Sequence, residues 1–149
     1  MPKRFFTIGY EHTTQAGLIA ALVANKVKTL VDTPDIANSR RAGFSKKILA
    51  ASLDEAGITY IHLRALGTPK AGRIANRAGR MDAFRAIYEA SFQQPEAQLA
   101  LLEAEELCRA ASTALMCYCG DGETCHRNRI AEALEEKGLK RTEILFREI

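Results

Sequence analysis

No stretch of the 149 residues stays apolar for anything near the roughly 18 positions a membrane-spanning helix requires. The opening Met1-Pro-Lys-Arg-Phe-Phe-Thr-Ile-Gly-Tyr10 turns polar before an apolar segment of signal length develops. Those two gaps lead us to expect a soluble, cytoplasmic protein with no membrane partner. Cysteine is sparse, at four residues. In a chain long enough to bury one proper core, that number does not describe a secreted disulfide scaffold. Glycine never falls into Gly-x-Gly-x-x-Gly, so no dinucleotide fingerprint is read and no cofactor is expected. Internal repeats and low-complexity tracts are missing too. Charge of one sign is barely in excess, with 21 Lys and Arg against 18 Asp and Glu.

What the chain does have is alternation. Short apolar runs at Phe5–Ile8, Val27–Val31, Ile58–Leu63, Thr113–Tyr118 and Thr142–Phe146 read as strands. Between them lie stretches of helical period. Thr14 opens one carrying Leu18, Ala21 and Leu22. Ser45 is placed to cap another with Ile48, Leu49 and Leu53, and Gly57 suits its end. Phe84, Ile87 and Tyr88 mark a further helix, Pro95 starts the next, and Ile130, Ala133 and Leu134 stripe the last, which Gly138 stops. Cys108 falls within a helical stretch as a small buried apolar residue. Gly67 to Gly79, with three glycines, one proline and no apolar period, reads as a long loop. This pattern predicts one α/β domain over residues 1–149, with a mostly parallel sheet of about five strands and helices on both faces. The strand carboxyl ends then share one edge, where open α/β sheets place ligands.

The densest chemistry lies at such an end. Cys117-Tyr-Cys-Gly-Asp-Gly-Glu-Thr-Cys-His-Arg127 joins the fourth strand to the last helix. If that helix starts near Thr124, Cys125, His126 and Arg127 occupy its first turn, where free N–H groups and the macrodipole attract an anion. Arg127 brings a guanidinium fork for phosphate or carboxylate, and the same field stabilises a Cys125 thiolate. A purely structural alternative packs Cys125 inward, lets His126 cap a turn and pairs Arg127 with Asp32 or Glu123. Cys117, Cys119, Cys125 and His126 also form an acceptable zinc donor set. Their spacing lacks paired knuckles, and adjacent Cys125 and His126 diverge by about 100° around a helix, so no metal site is assigned. A Cys-x5-Arg phosphate loop is absent: six positions before Arg127 stands Asp121, and six before Arg129 stands Glu123.

Other turns supply further candidates. Gly9 lets the chain turn sharply after strand one, leaving Tyr10 and His12 at the edge. Asp32 ends strand two and is suited to a ribose hydroxyl, a histidine or Arg40. His62 reads as a core or sheet-face residue. Arg40 and Arg41, with Gly67, Lys70 and Arg73 of the cationic segment, complete a surface that suits a phosphorylated or polyanionic ligand, although charge clusters are as often simply solvated.

Several of these segments together resemble the bacterial family catalogued as domain of unknown function 488. They are Thr7-Ile-Gly-Tyr-Glu-His-Thr13, Leu30-Val-Asp32, Ser39-Arg-Arg-Ala-Gly-Phe-Ser45, Tyr60-Ile-His-Leu-Arg-Ala-Leu-Gly67, and Cys117 with Cys125-His-Arg127. The resemblance implies an α/β domain and supports the choice of motifs, without supplying an activity. The chain departs from it in two places. It reads Val31-Asp-Thr-Pro34 where many members have Val-Asp-Val-Arg, and Cys119 where many have an acid.

The resulting expectation is an anionic small molecule, phosphate- or nucleotide-bearing, held at the carboxyl edge, with enzymatic status left open. Gly9, Tyr10, Arg40, Arg41, Gly67, Lys70, Arg73, Cys119 and Arg127 would bind it. His12, Asp32, Cys125 and His126 would be the reactive or orienting groups. On this reading Arg127 is dispensable to the fold. One alternative is a nucleic-acid-associated module using the basic 64–85 segment; another is a cysteine-based metal or redox site.

Overall fold

The apolar runs do become strands, and the computed structural model, which describes residues 3–33, 43–117 and 126–146, sets them in one sheet. They are β1 (Arg4–Gly9), β2 (Thr29–Asp32), β3 (Thr59–His62), β4 (Thr113–Cys117) and β5 (Lys140–Ile144). Their order is β3-β2-β4-β1-β5, and every neighbouring pair is parallel. Residues of successive parity serve opposite faces. Ile8, Leu30, Ala114 and Met116 pack with one set of helices, while Phe5, Val31 and Leu115 pack with the other.

The helices divide between those faces as right-handed crossovers demand. Helices α1 (Gln15–Ala24) and α2 (Lys46–Glu55) carry the chain outward from β1 to β2 to β3, and bury Leu18, Leu22, Leu49 and Leu53 on the first face. The chain then reverses. A 3-10 turn at Arg64–Leu66 leads into α3 (Lys70–Arg77), α4 (Met81–Phe92) and α5 (Pro95–Ala110), and β4 inserts between β2 and β1. Helix α6 (His126–Glu136) completes the passage to β5. These later helices bury Ala75, Phe84, Tyr88, Leu101, Cys108, Ile130 and Leu134 on the second face. Among the described residues no helix is long and apolar enough to cross a membrane.

Local signals behave as their chemistry dictates. The Thr14 hydroxyl accepts from the Gly17 N–H at 3.1 Å and caps α1. Ser45 stands at the N-cap of α2 but makes no side-chain cap bond. Gly57 and Gly138 adopt φ of +79° and +95° just past their helices, a conformation glycine enters without a Cβ penalty.

One expectation fails. The supposed loop from Gly67 to Gly79 contains the two-turn helix α3. Its buried residues are Gly72 and Ala75, too small to register as an apolar stripe. Their smallness is what lets α3 lie close to α4. A Cβ built on Gly72 would stand 2.7 Å from Thr68 Cγ2 and 3.3 Å from Ile87 Cγ2. Alanine normally improves a helix interior by about 1 kcal/mol over glycine; here the overlap, worth about 1–3 kcal/mol, opposes it. Gly72→Ala is therefore expected to lower stability, by about 1 kcal/mol, in urea unfolding. A rise equal to the ordinary propensity gain would show that the interface gives way freely.

Candidate functional site

The sheet edge where the strands end is where the chain's exits part. The chain leaves β2 towards α2 on one face and leaves β4 towards α6 on the other. In open α/β sheets, adjacent parallel strands whose connections diverge in this way are where a ligand crevice is expected, at their carboxyl ends. Asp32 and Thr33 lie on the β2 side of that crevice, and Cys117 and His126 on the β4 side. Because side chains alternate, the two β2 residues feed separate clusters on opposite faces.

On the α6 face, the Thr33 hydroxyl donates to the Met116 carbonyl at 2.9 Å and lies 3.1 Å from His126 Nε2. A hydroxyl has one hydrogen, and this one is committed to the carbonyl, so its oxygen accepts from His126. The pattern assigns a proton to Nε2. The Tyr88 ring lies against His126 with centroids 5.7 Å apart, and its hydroxyl donates to the Leu66 carbonyl at 2.7 Å. Tyr88 thereby ties the turn after β3, including Gly67, to the start of α6.

On the α2 face, Asp32 is 4% exposed and accepts a hydrogen bond from the Tyr60 hydroxyl of β3. Burial pushes its carboxyl above the ordinary 3.8, against the lowering effects of the Tyr60 bond, His62 and Lys46. Burial and the neighbouring carboxylate likewise push the Tyr60 phenol up. His62 stands opposite Asp32 in register. Tyr10, just past β1, is buried and stacks on Phe44 at 4.2 Å with ring planes 11° apart. Its N–H donates to the Cys117 carbonyl, so the turn after β1 joins the same edge.

A family model described as Domain of unknown function DUF488 matches residues 14–134, 121 of the 149 positions. The chain belongs to the DUF488 family. No curated protein and no solved structure matches it. The matched span holds Asp32, Thr33, Tyr60, Tyr88, His126 and Arg127, and so covers the crevice of this DUF488 chain from both sides.

The residues singled out from sequence have separate fates. Gly9, Tyr10, His12, Asp32, Gly67 and His126 all lie at the carboxyl edge. His12 is exposed, with its Nε2 3.9 Å from Glu11. Lys70 and Arg73 sit instead on α3, which packs on α4, and Arg73 donates to the Thr68 carbonyl at 2.9 Å. Arg40, Arg41, Cys119 and Cys125 lie outside the described residues. The zinc set depended on two of those four; among the described residues no three His, Cys, Asp or Glu side chains come together as a metal site.

Arg127 departs furthest from expectation. Only 1% exposed, it lies beneath α6 rather than in the crevice. Its guanidinium pairs with Glu143 of β5 and donates to Cys117 Sγ at 2.8 Å, while Glu143 also accepts from the Thr7 hydroxyl. Among the described residues the acidic partner of Arg127 is Glu143, not the Asp32 that the structural alternative named; Glu123, the other acid named there, lies outside them. Thr33, Tyr60 and Tyr88 were given no role beforehand. Only Tyr60 carried a signal, as part of the family-like segment around β3.

Two outcomes are expected. Arg127→Ala leaves a partly buried carboxylate without its cation and should destabilise the fold by about 3–5 kcal/mol, rather than spare it; a change below about 1 kcal/mol in chemical denaturation would remove the buried pair from consideration. For Asp32 the sign runs the other way. A raised carboxyl keeps its proton longer in the folded than in the unfolded state, so stability declines as pH rises from about 4 through the folded pKa. Asp32→Asn should flatten that decline and leave Tm at neutral pH unchanged or higher. A clearly lower Tm at neutral pH would mean that the carboxylate itself stabilises the fold.

Proposed function

We propose that this chain binds an anionic small molecule, phosphate- or nucleotide-bearing, in the crevice between the carboxyl ends of β2 and β4. The carrying observation is the Thr33–His126 contact, which ties the end of β2 to the first residue of α6 across the point where the chain's exits diverge. Helix α6 runs for 11 residues, long enough to present a partial positive charge of about +0.5 at its start. Its first-turn N–H groups are the natural partners of an anion there. Arg127 supports this arrangement from below instead of gripping the ligand, which moves it from the binding set to the positioning set. His126 is the binding group next to it.

Asp32 and His126 are the groups suited to proton transfer. They flank the crevice from opposite faces, one a carboxyl raised by burial and the other an imidazole whose Nε2 is held by Thr33. A perturbed acid and an oriented histidine at neighbouring strand ends suit general acid–base work. Tyr60 holds the Asp32 carboxyl in place, and Tyr88 holds the His126 ring. The bond rearranged and the identity of the ligand beyond its anionic group are set by the occupant of the crevice.

The test is a thermal-shift and calorimetric screen with inorganic phosphate, nucleotides and sugar phosphates. A ligand at 100 times its Kd should stabilise the protein by about 2.7 kcal/mol. His126→Gln keeps an N–H for Thr33 but lacks the imidazole ring. It should retain the wild-type Tm without ligand while losing at least about tenfold in affinity, or about 1.4 kcal/mol. If every anion leaves the wild-type Tm unmoved, this reading is wrong.

A further inference from the structure

Positive charge is concentrated in one stretch of the chain. Residues 64–85 hold six cations (Arg64, Lys70, Arg73, Arg77, Arg80 and Arg85) and one acid, Asp82; the other 127 residues hold 15 cations and 17 acids. The net +3 of the chain is thus +5 in this segment and −2 elsewhere. The unforeseen helix α3 turns that composition into a surface. Gly72 and Ala75 face inward, and Lys70, Ile74 and Arg77 remain exposed, with Arg80 exposed at the start of α4. The only acid, Asp82, is already engaged by Arg85 at 3.4 Å. Among the described residues Lys70, Arg77 and Arg80 form no ion pair with any neighbour.

We propose that the outer face of α3, together with Arg80, binds the phosphodiester backbone of a nucleic acid. Lys70, Arg77 and Arg80, solvated on one side of a molecule whose remainder is net negative, give that side a field that attracts a polyanion. Arginine outnumbers lysine five to one in the segment, and its planar fork matches phosphate oxygens with two hydrogen bonds where lysine offers a point charge. A membrane surface fits less well. Helix α3 has eight residues, and Ile74 is the one large apolar side chain of the segment exposed enough to insert. Phe84 and Tyr88 are buried, so no ring is available to stack on bases. Recognition is therefore of the backbone, without sequence preference. Arg64, in the turn after β3, extends the cationic surface to the carboxyl edge of the sheet. The proposal stands whether or not the crevice takes a small anion.

The experiment is fluorescence anisotropy of the full chain with labelled single-stranded and duplex oligonucleotides over a range of salt, with polyglutamate as competitor. Binding to at least one oligonucleotide should weaken with salt by counterion release, at about 0.9 log units per log unit of salt for each phosphate neutralised on a duplex. The triple variant K70E/R77E/R80E should reduce that slope by about 2–3. A control triple at the opposite edge of the sheet, R4E/K28E/K140E, changes net charge equally and should bind within about twofold of wild type. Should the first triple melt early, K70Q/R77Q/R80Q replaces it. Three results would overturn the proposal: no binding of either oligonucleotide at low salt, equal losses from the two triples, or displacement by polyglutamate as effective as by unlabelled nucleic acid.

Discussion

Arg127 and Glu143 form the contact on which the geometry of the crevice rests. The guanidinium lies under the first turn of α6, reaching Glu143 on β5 and Cys117 on β4, while Glu143 takes a further hydrogen bond from Thr7 on β1. One cation therefore engages two strands directly and a third through its partner. An apolar residue of similar volume could serve stability as well, since taking two charges out of water cancels much of their attraction. It could not fix both the rotation and the axial position of the helix with directional bonds. His126 is the next residue back, about 100° around the helix, so whatever fixes Arg127 also fixes the imidazole at the mouth of the crevice.

The order of the strands does the rest. Because β4 enters after both of its neighbours, between β2 and β1, its exit towards α6 runs against the exits of both. The carboxyl ends of β1, β2 and β4 are thereby held side by side, as the Tyr10 N–H bond to Cys117 and the Thr33 bond to Met116 show. Consecutive residues of β2 then contribute to both faces. Asp32 goes to Tyr60 and Thr33 to His126, so one strand end supplies an acid to one wall and an anchor to the other.

Much of this was legible in the residues, and the exceptions have physical reasons. Strands and most helices announce themselves by period, and Thr14, Pro95, Gly57 and Gly138 mark ends through local chemistry. Helix α3 escaped because its buried side is made of Gly72 and Ala75, which a hydrophobic pattern does not count. Asp32 and His126 were singled out as candidates because they end a strand and begin a helix. Tyr60, Thr33 and Tyr88 could not be, since their roles exist only once β2 is paired with β3 and α4 is laid beside α6. Arg127 is different: its true position was written in the spacing. Residues 127, 130, 131 and 134 share one side of a helix, and Ile130, Ala131 and Leu134 are buried. Charge suggested an outward fork; periodicity placed it inward, and periodicity was right.

An acid in a crevice that is to receive an anion looks self-defeating, and the direction of the Asp32 shift resolves the conflict. A carboxylate at the ordinary 3.8 would be ionised throughout the neutral range and would repel a phosphate a few ångströms away. Burial raises the carboxyl and so reduces the charged fraction at any given pH. Each incoming negative charge raises it further, because like charges at short range favour the neutral form of one of them. If the crevice takes the proposed anion, ligand and proton enter it together, with Tyr60 orienting the carboxyl that receives the proton. On the proposed reading, the burial that costs the fold stability is what lets Asp32 hold a proton once an anion is bound.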